Sequence, residues 1–218
     1  MQQIQQPAST SALDPVYRAS EVIFGLLMAM SFVGSISVAT DGREEVRTLL
    51  IAALGCNLAW GLVDAVMHLV AVKTQKRRER ALVEKLRVTE AGAGRVLLAD
   101  ELSGPLAATI GADGLEQLRQ RIAGLNPAPA ARLNGRDFGD ALVVFFLVVL
   151  STFPLVVPFM LVDDTARALL LSRLAALVML FLAGATLARY SSGNVWLNGL
   201  TMAALGALLM AAIMALGG

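Results

Sequence analysis

This sequence is poor in the residues from which soluble chemistry is built. It has one histidine, His68, and one cysteine, Cys56, in 218 residues. A lone cysteine excludes an intrachain disulfide framework and any multi-cysteine metal site. Charged residues make up only 16%, against about one-quarter in soluble globular domains. There is no metalloprotease helix motif, no Gly-rich phosphate loop and no serine in a nucleophile-elbow pattern. Nothing therefore points to an enzyme. The formal net charge is +1, which offers no global attraction to nucleic acid or another polyanion.

What the chain has in excess is apolar side chain: 56% of residues are hydrophobic. A soluble domain of this length cannot hide that much apolar surface behind so few charges. The composition predicts an integral membrane protein. A membrane crossing takes about 20 residues of helix, and apolar runs of that order recur five times. They are Val22 to Thr40, Thr48 to about Val72, Ala141 to Val162, about Ala168 to Ala188, and about Val195 to Leu216. Helices are required, because a lone strand in lipid leaves its backbone polar groups unpaired. The expected class is all-α, with five transmembrane helices and a helical insert between helices two and three.

Residues 1–18 read as a polar tail, disordered and cytoplasmic, with no basic region of the kind that opens a cleaved signal. Residues 19–72 hold spans one and two, 73–140 the insert, and 141–218 spans three to five. Of the 18 lysines and arginines, 12 lie between Lys73 and Arg136. The positive-inside rule puts that segment, and with it the N-terminus, in the cytoplasm of a plasma membrane or bacterial inner membrane. The insert reads as one helix from Gln75 to Leu102, broken near Gly92 and Gly94, and a second from Gly114 to Ala123 with Asp113 as N-cap. A linker containing Pro127 and Pro129 follows.

Polar residues inside apolar runs are expensive, so they mark candidate sites. Span two carries Asn57, Trp60, Asp64 and His68 at i, i+3, i+7 and i+11, one face of a helix. Asp64 and His68 form an i, i+4 pair, and Met67 is expected to flank the same patch. If spans one and two are antiparallel neighbours, Glu21 stands level with Asp64 and His68, and Asn57 with Met28 to Ser31. Carboxylate, imidazole and amide at one depth suit a hard or borderline divalent cation, and the same set could relay protons. The expected metal set is Glu21, Asp64, His68, Asn57 and Met67. Asp41, Glu44 and Glu45 are expected at the outer mouth. Pro154 and Pro158 are expected to kink span three. Small residues at Gly25 and Ala29, and at Ala203, Ala207, Ala211 and Ala215, allow close helix approach within the chain or across a dimer.

With these residues in view, the layout resembles the vacuolar iron transporter family. EVIFGLLMAM resembles that family's first span, with its acid followed by Phe-Gly-Leu. FPLVVPFML is similar to its proline pair, with a spacing one residue longer. LFLAGATLARYSSGNVW and GLTMAALGALL resemble its fourth and fifth spans. The resemblance extends from about Glu21 to Gly217 and implies five spans, a cytoplasmic insert, and a homodimer whose ion path lies at the subunit interface between spans one and two. The family's Gly-x-x-Ser-Met reads here as Gly61, Leu62, Val63, Asp64, Ala65, so an acid stands for the serine and an alanine for the metal-ligating methionine. The family's Asp-Gly in span one is absent, and Glu21 is the nearest acid.

The implied function is transport of divalent metal, Fe²⁺ or Mn²⁺, out of the cytoplasm, with proton coupling an open option. The metal is substrate, and no resident cofactor is expected. The partners are the lipid bilayer and a second copy of the chain, with no nucleic acid. A contrasting reading is a non-transporting scaffold or regulatory protein whose insert binds another protein.

Overall fold

The computed structural model describes residues 15–39, 43–102, 104–125, 132–191 and 193–216. Among them are eight helices and no strand: α1 (Pro15–Ala39), α2 (Arg43–Val88), α3 (Ala91–Glu101), α4 (Gly104–Ala123), α5 (Gly135–Ser151), α6 (Phe153–Leu161), α7 (Thr165–Tyr190) and α8 (Val195–Ala215). Five stretches are long and apolar enough to cross a membrane: Val16–Val33, Val46–Val88, Gly135–Leu161, Thr165–Tyr190 and Val195–Ile213. The chain divides into two compact units, one made of Met1–Leu69 with Gly135–Gly218, the other of Val70–Asn134. Helix α2 contributes residues 43–69 to the first and 70–88 to the second.

The apolar unit is organised around α1. Leu26, Ala29, Met30 and Val33 are buried against Leu155 of α6, Ala176 and Leu180 of α7, and Met210 of α8. Such a core draws on close contact more than on the hydrophobic effect if its surroundings are lipid, because tails are as apolar as leucine. Glycine is what permits the contact. A Cβ on Gly25 would lie 2.8 Å from the Val148 carbonyl of α5, and one on Gly184 would lie 2.6 Å from the Asn198 carbonyl of α8. The alanine stripe of span five, expected to allow close approach within the chain or across a dimer, is not used within the chain, where Ala207 and Ala211 are exposed. The packed side of α8 runs instead through Gly199, Gly206 and Met210. Two glycines seven apart make a flatter groove than alanines, and it receives Phe181 and Leu180 of α7.

Helix ends follow local chemistry. Asp164 caps α7, accepting from the Arg167 N–H at 2.9 Å. Asn194 caps α8, accepting from Trp196 and Leu197 at 3.0 and 3.1 Å. Helix α1 begins at Pro15, so the last four residues assigned to a disordered tail are helical, and residues 1–14 lie outside the described part. Proline suits a first helical position because its missing N–H has no intrahelical partner there.

The second unit is a three-helix insert. Leu86, Leu98 and Leu115 form its buried centre, with Leu82, Leu97, Leu118 and Ile122 packed around them. The break expected at Gly92 and Gly94 falls earlier, between Val88 and Ala91, and both glycines are inside α3. Gly94 has a packing reason: a Cβ there would sit 2.6 Å from Cδ of Arg119. Arg119 lies across it, bound to Glu116 at 2.7 and 2.9 Å. Helix α4 starts ten residues before the expected Gly114 and bends at Gly111, whose φ of 66° is a left-handed conformation that glycine adopts without strain. Arg87 donates to the carbonyls of Ala123, at 3.0 Å, and Leu125, closing the C-terminal end of α4. The Pro127–Pro129 linker lies outside the described residues.

Two outcomes follow for the insert. Leu86 is fully buried, so Leu86→Ala should cost about 2–5 kcal/mol and raise protease cleavage between α2 and α4 in the intact protein. Hydrogen bonds from Arg119 and Gln120 hold the Glu116 carboxyl down at about 2, against an ordinary 4.5. The pairing is therefore fully present above pH 4.5 and is lost as pH falls toward 2. An NMR titration placing the Glu116 carboxyl in the ordinary range would contradict it.

Candidate functional site

The polar residues of α2 meet α1 and the middle of α5–α6. Asn57 is completely buried. Its amide nitrogen donates to the Gly25 carbonyl of α1 at 3.2 Å and to the Thr152 hydroxyl between α5 and α6. Thr152 is the residue at which span three breaks. Its N–H bonds back only three residues, to Val149 at 3.2 Å, and its carbonyl receives Leu155 at 3.1 Å. These are tight-turn bonds, and they leave the hydroxyl turned toward Asn57. The kink expected from Pro154 and Pro158 thus lies just ahead of Pro154, which occupies the first turn of α6 where no N–H is needed. Ser172 of α7 donates to the Leu155 carbonyl at 2.8 Å, satisfying backbone near the break.

From Asn57 the contact between α1 and α2 runs antiparallel. Phe24 meets Trp60 edge to face, ring centroids 6.1 Å apart. Glu21 lies within electrostatic reach of Asp64. Tyr17 lies against His68 at 5.7 Å between ring centroids. The Tyr17 hydroxyl also lies within interaction reach of the Glu21 carboxylate. Glu21 is therefore level with Asp64 and His68, as expected. Asn57 is level with Gly25, about one turn from the Met28–Ser31 level expected for it.

The expected set is only partly assembled. Asn57 and His68 are buried and Asp64 is half-buried, but Met67 is 56% exposed and cannot serve the same centre. Helical geometry explains this. At about 100° per residue, His68 and Gly61 fall to one side of Asp64 and Met67 and Trp60 to the other. Packing is on the Gly61 side, where a Cβ would lie 3.1 Å from the Phe145 carbonyl of α5. Trp60 is accordingly half-exposed. Asn57 spends its donor on α1 and Thr152, so its role is to fix the helices. Among the described residues, no three His, Cys, Asp or Glu side chains group closely enough to hold one metal ion.

Sequence reading missed three contributors. Tyr17 had been placed in the tail, although Tyr17 and Glu21 are an i, i+4 pair. Asp137 and Asp140, placed in the insert, belong to α5 and stand within electrostatic reach of His68. Asp137 is buried. Both His68 ring nitrogens, one oxygen of Asp64 and the Asn57 carbonyl oxygen are buried without a hydrogen-bond partner among the described residues. Buried polar atoms are seldom left so, and these mark the stretch of the α1–α2 seam from Asn57 to His68 as unfinished.

At the other end of α2, Glu44 is exposed and, with Arg47 and Asp163, lines an otherwise mainly apolar cavity of about 670 Å³. Asp41 and the Glu45 side chain lie outside the described residues. No protein-family model and no curated protein matches this chain, so the likeness to the vacuolar iron transporters rests on the residues themselves.

The Asn57 contact has a measurable weight. Asn57→Ala should destabilise the protein by about 1–2 kcal/mol in thermal or SDS-titration unfolding. It should be non-additive with Thr152→Val, since the two side chains bond to each other. Strictly additive losses would refute the bond.

Proposed function

We propose that this chain is a multi-pass plasma-membrane or inner-membrane transporter that exports a divalent metal ion, Fe²⁺ or Mn²⁺, and works as a homodimer with its N-terminus and insert in the cytoplasm. One observation carries the reading. Glu21 and Asp64, from two antiparallel apolar helices, are held within reach of each other, with the unpartnered imidazole of His68 one turn beyond. One carboxylate in hydrocarbon costs at least a few kcal/mol. A facing pair adds repulsion, which a cation between them removes.

The donor types narrow the ion. With Met67 pointing away, the seam offers oxygen and imidazole nitrogen and no thioether. That suits hard and borderline divalent ions over soft monovalent copper. The described residues of one chain supply too few clustered donors to hold the ion alone. Glu21 and Asp64 both keep partial exposure, so the remaining donors come from water and from the same residues of a second copy. The resemblance to the vacuolar iron transporters, with an ion path at the subunit interface, supports the same arrangement.

Flux into proteoliposomes tests the proposal. Wild-type protein should carry Mn²⁺ or Fe²⁺ well above protein-free vesicles. Glu21→Gln with Asp64→Asn should lower the rate by roughly tenfold or more, equivalent to about 1.4 kcal/mol or more of ion stabilisation. Met67→Leu should leave it unchanged. Equal flux through wild type and the inserted double variant would remove the acid pair from the path, and no flux from wild type would leave the bundle a scaffold.

A further inference from the structure

We propose that Lys73, Lys76, Arg77 and Arg80 form a binding site for the phosphate group of an anionic membrane phospholipid. The inference depends on reading α2 as a membrane-crossing helix and is independent of the ion path. The four residues stand at i, i+3, i+4 and i+7, so they share one face of α2. The stripe starts at the first residue after the apolar run that ends at Val72, and α2 continues through it without a break.

Three features single out this face. First, most of it faces away from the packed side of the insert, which reaches only its Lys76 edge, at buried Val83. Leu82, which packs around the insert's buried centre, is nine residues beyond Lys73, about 180° around the helix. Lys73, Arg77 and Arg80 are exposed, and half-buried Lys76 donates to the Arg132 carbonyl at 3.4 Å, which steadies its ammonium. Second, few acids compete. Glu84 holds Arg80 at 2.8 Å in an exposed pair of small worth. Glu79 accepts from Gln75 at 3.1 Å, and Glu101 faces Arg78, which is off the stripe, at 3.8 Å. Third, the length fits. Seven residues of helical rise cover about 10 Å, enough to run through one headgroup layer of roughly 5–8 Å beside the hydrocarbon. A helix that leaves an apolar run and enters such a stripe meets lipid phosphate before any nucleic acid or acidic protein.

The test uses the intact detergent-solubilised protein and native mass spectrometry, with phosphatidylglycerol and phosphatidylcholine as probes. Wild type should retain phosphatidylglycerol preferentially, and retention should fall as salt rises. The triple variant Lys73→Gln, Lys76→Gln, Arg77→Gln should lose roughly fivefold in retention for each charge removed. Arg95→Gln with Arg121→Gln, in the insert but off the stripe, should change nothing. Equal retention of the two lipids, retention insensitive to salt, or an unchanged triple variant each overturns the proposal. So does preferential binding of a single-stranded oligonucleotide over lipid. If the triple variant fails to insert, the wild-type lipid preference and salt response still decide. The charge-conserving variant Lys73→Arg, Lys76→Arg, Arg77→Lys, which should keep the preference, provides the second check.

Discussion

The amide of Asn57 is the fixed point of the apolar unit. It is fully buried and ties α2 to the backbone of α1 at Gly25 and to Thr152 at the break between α5 and α6. Much of the outer face of α2 is exposed, Ile51, Leu58, Leu62 and Val66 among it, so apolar packing leaves its register weakly specified. A bond that satisfies a buried donor in low-dielectric surroundings specifies it much better. Gly25 is necessary to the arrangement, since a side chain there would strike α5. With Asn57 opposite Gly25, antiparallel geometry brings Trp60 to Phe24, Asp64 to Glu21 and His68 to Tyr17.

Much of this was legible in the sequence because it depended on length and period. Five apolar runs and the long polar segment between the second and third follow from hydropathy alone, and the common face of Asn57, Asp64 and His68 follows from 3.6-residue periodicity. What the period leaves open is which way that face is rotated. Trp60 and Met67 belong to the same broad stripe, yet both turn outward because Gly61 allows α2 to approach α5 on the opposite flank. Similarly, alanines in span five promised close approach, but two glycines on another face allow closer approach still, and packing took that face. Small-residue stripes say that a helix can be approached and are silent on which of two stripes is used.

The insert shows the same limit. Glycines in a helix-forming stretch argue for a break, yet Gly94 lies inside α3 because Arg119 needs the space a side chain would fill. The actual interruption falls at Thr89 and Glu90, which carry no strong breaking signal. Conversely Gly111, one of several glycines in weak context, takes the left-handed turn. A glycine's conformational cost and its packing benefit are opposed, and only the neighbouring helix decides between them.

Two acids facing each other across apolar helices are not explained by fold stability. Replacing both by apolar residues would spare desolvation and remove repulsion, and no cation among the described residues is paired with either of them. A tyrosine within reach of one acid and an imidazole whose two nitrogens lack a partner among the described residues, beside the other, extend the polar line by one helical turn toward Asp137 and Asp140. That line begins where α5 starts and ends at Asn57, where the seam closes on Thr152. Ionisable groups thus follow one another along one flank of the helix contact, a placement that is costly between apolar helices. The Asn57–Thr152 contact stands between these groups and the Glu44, Arg47 and Asp163 cavity at the far end of α2.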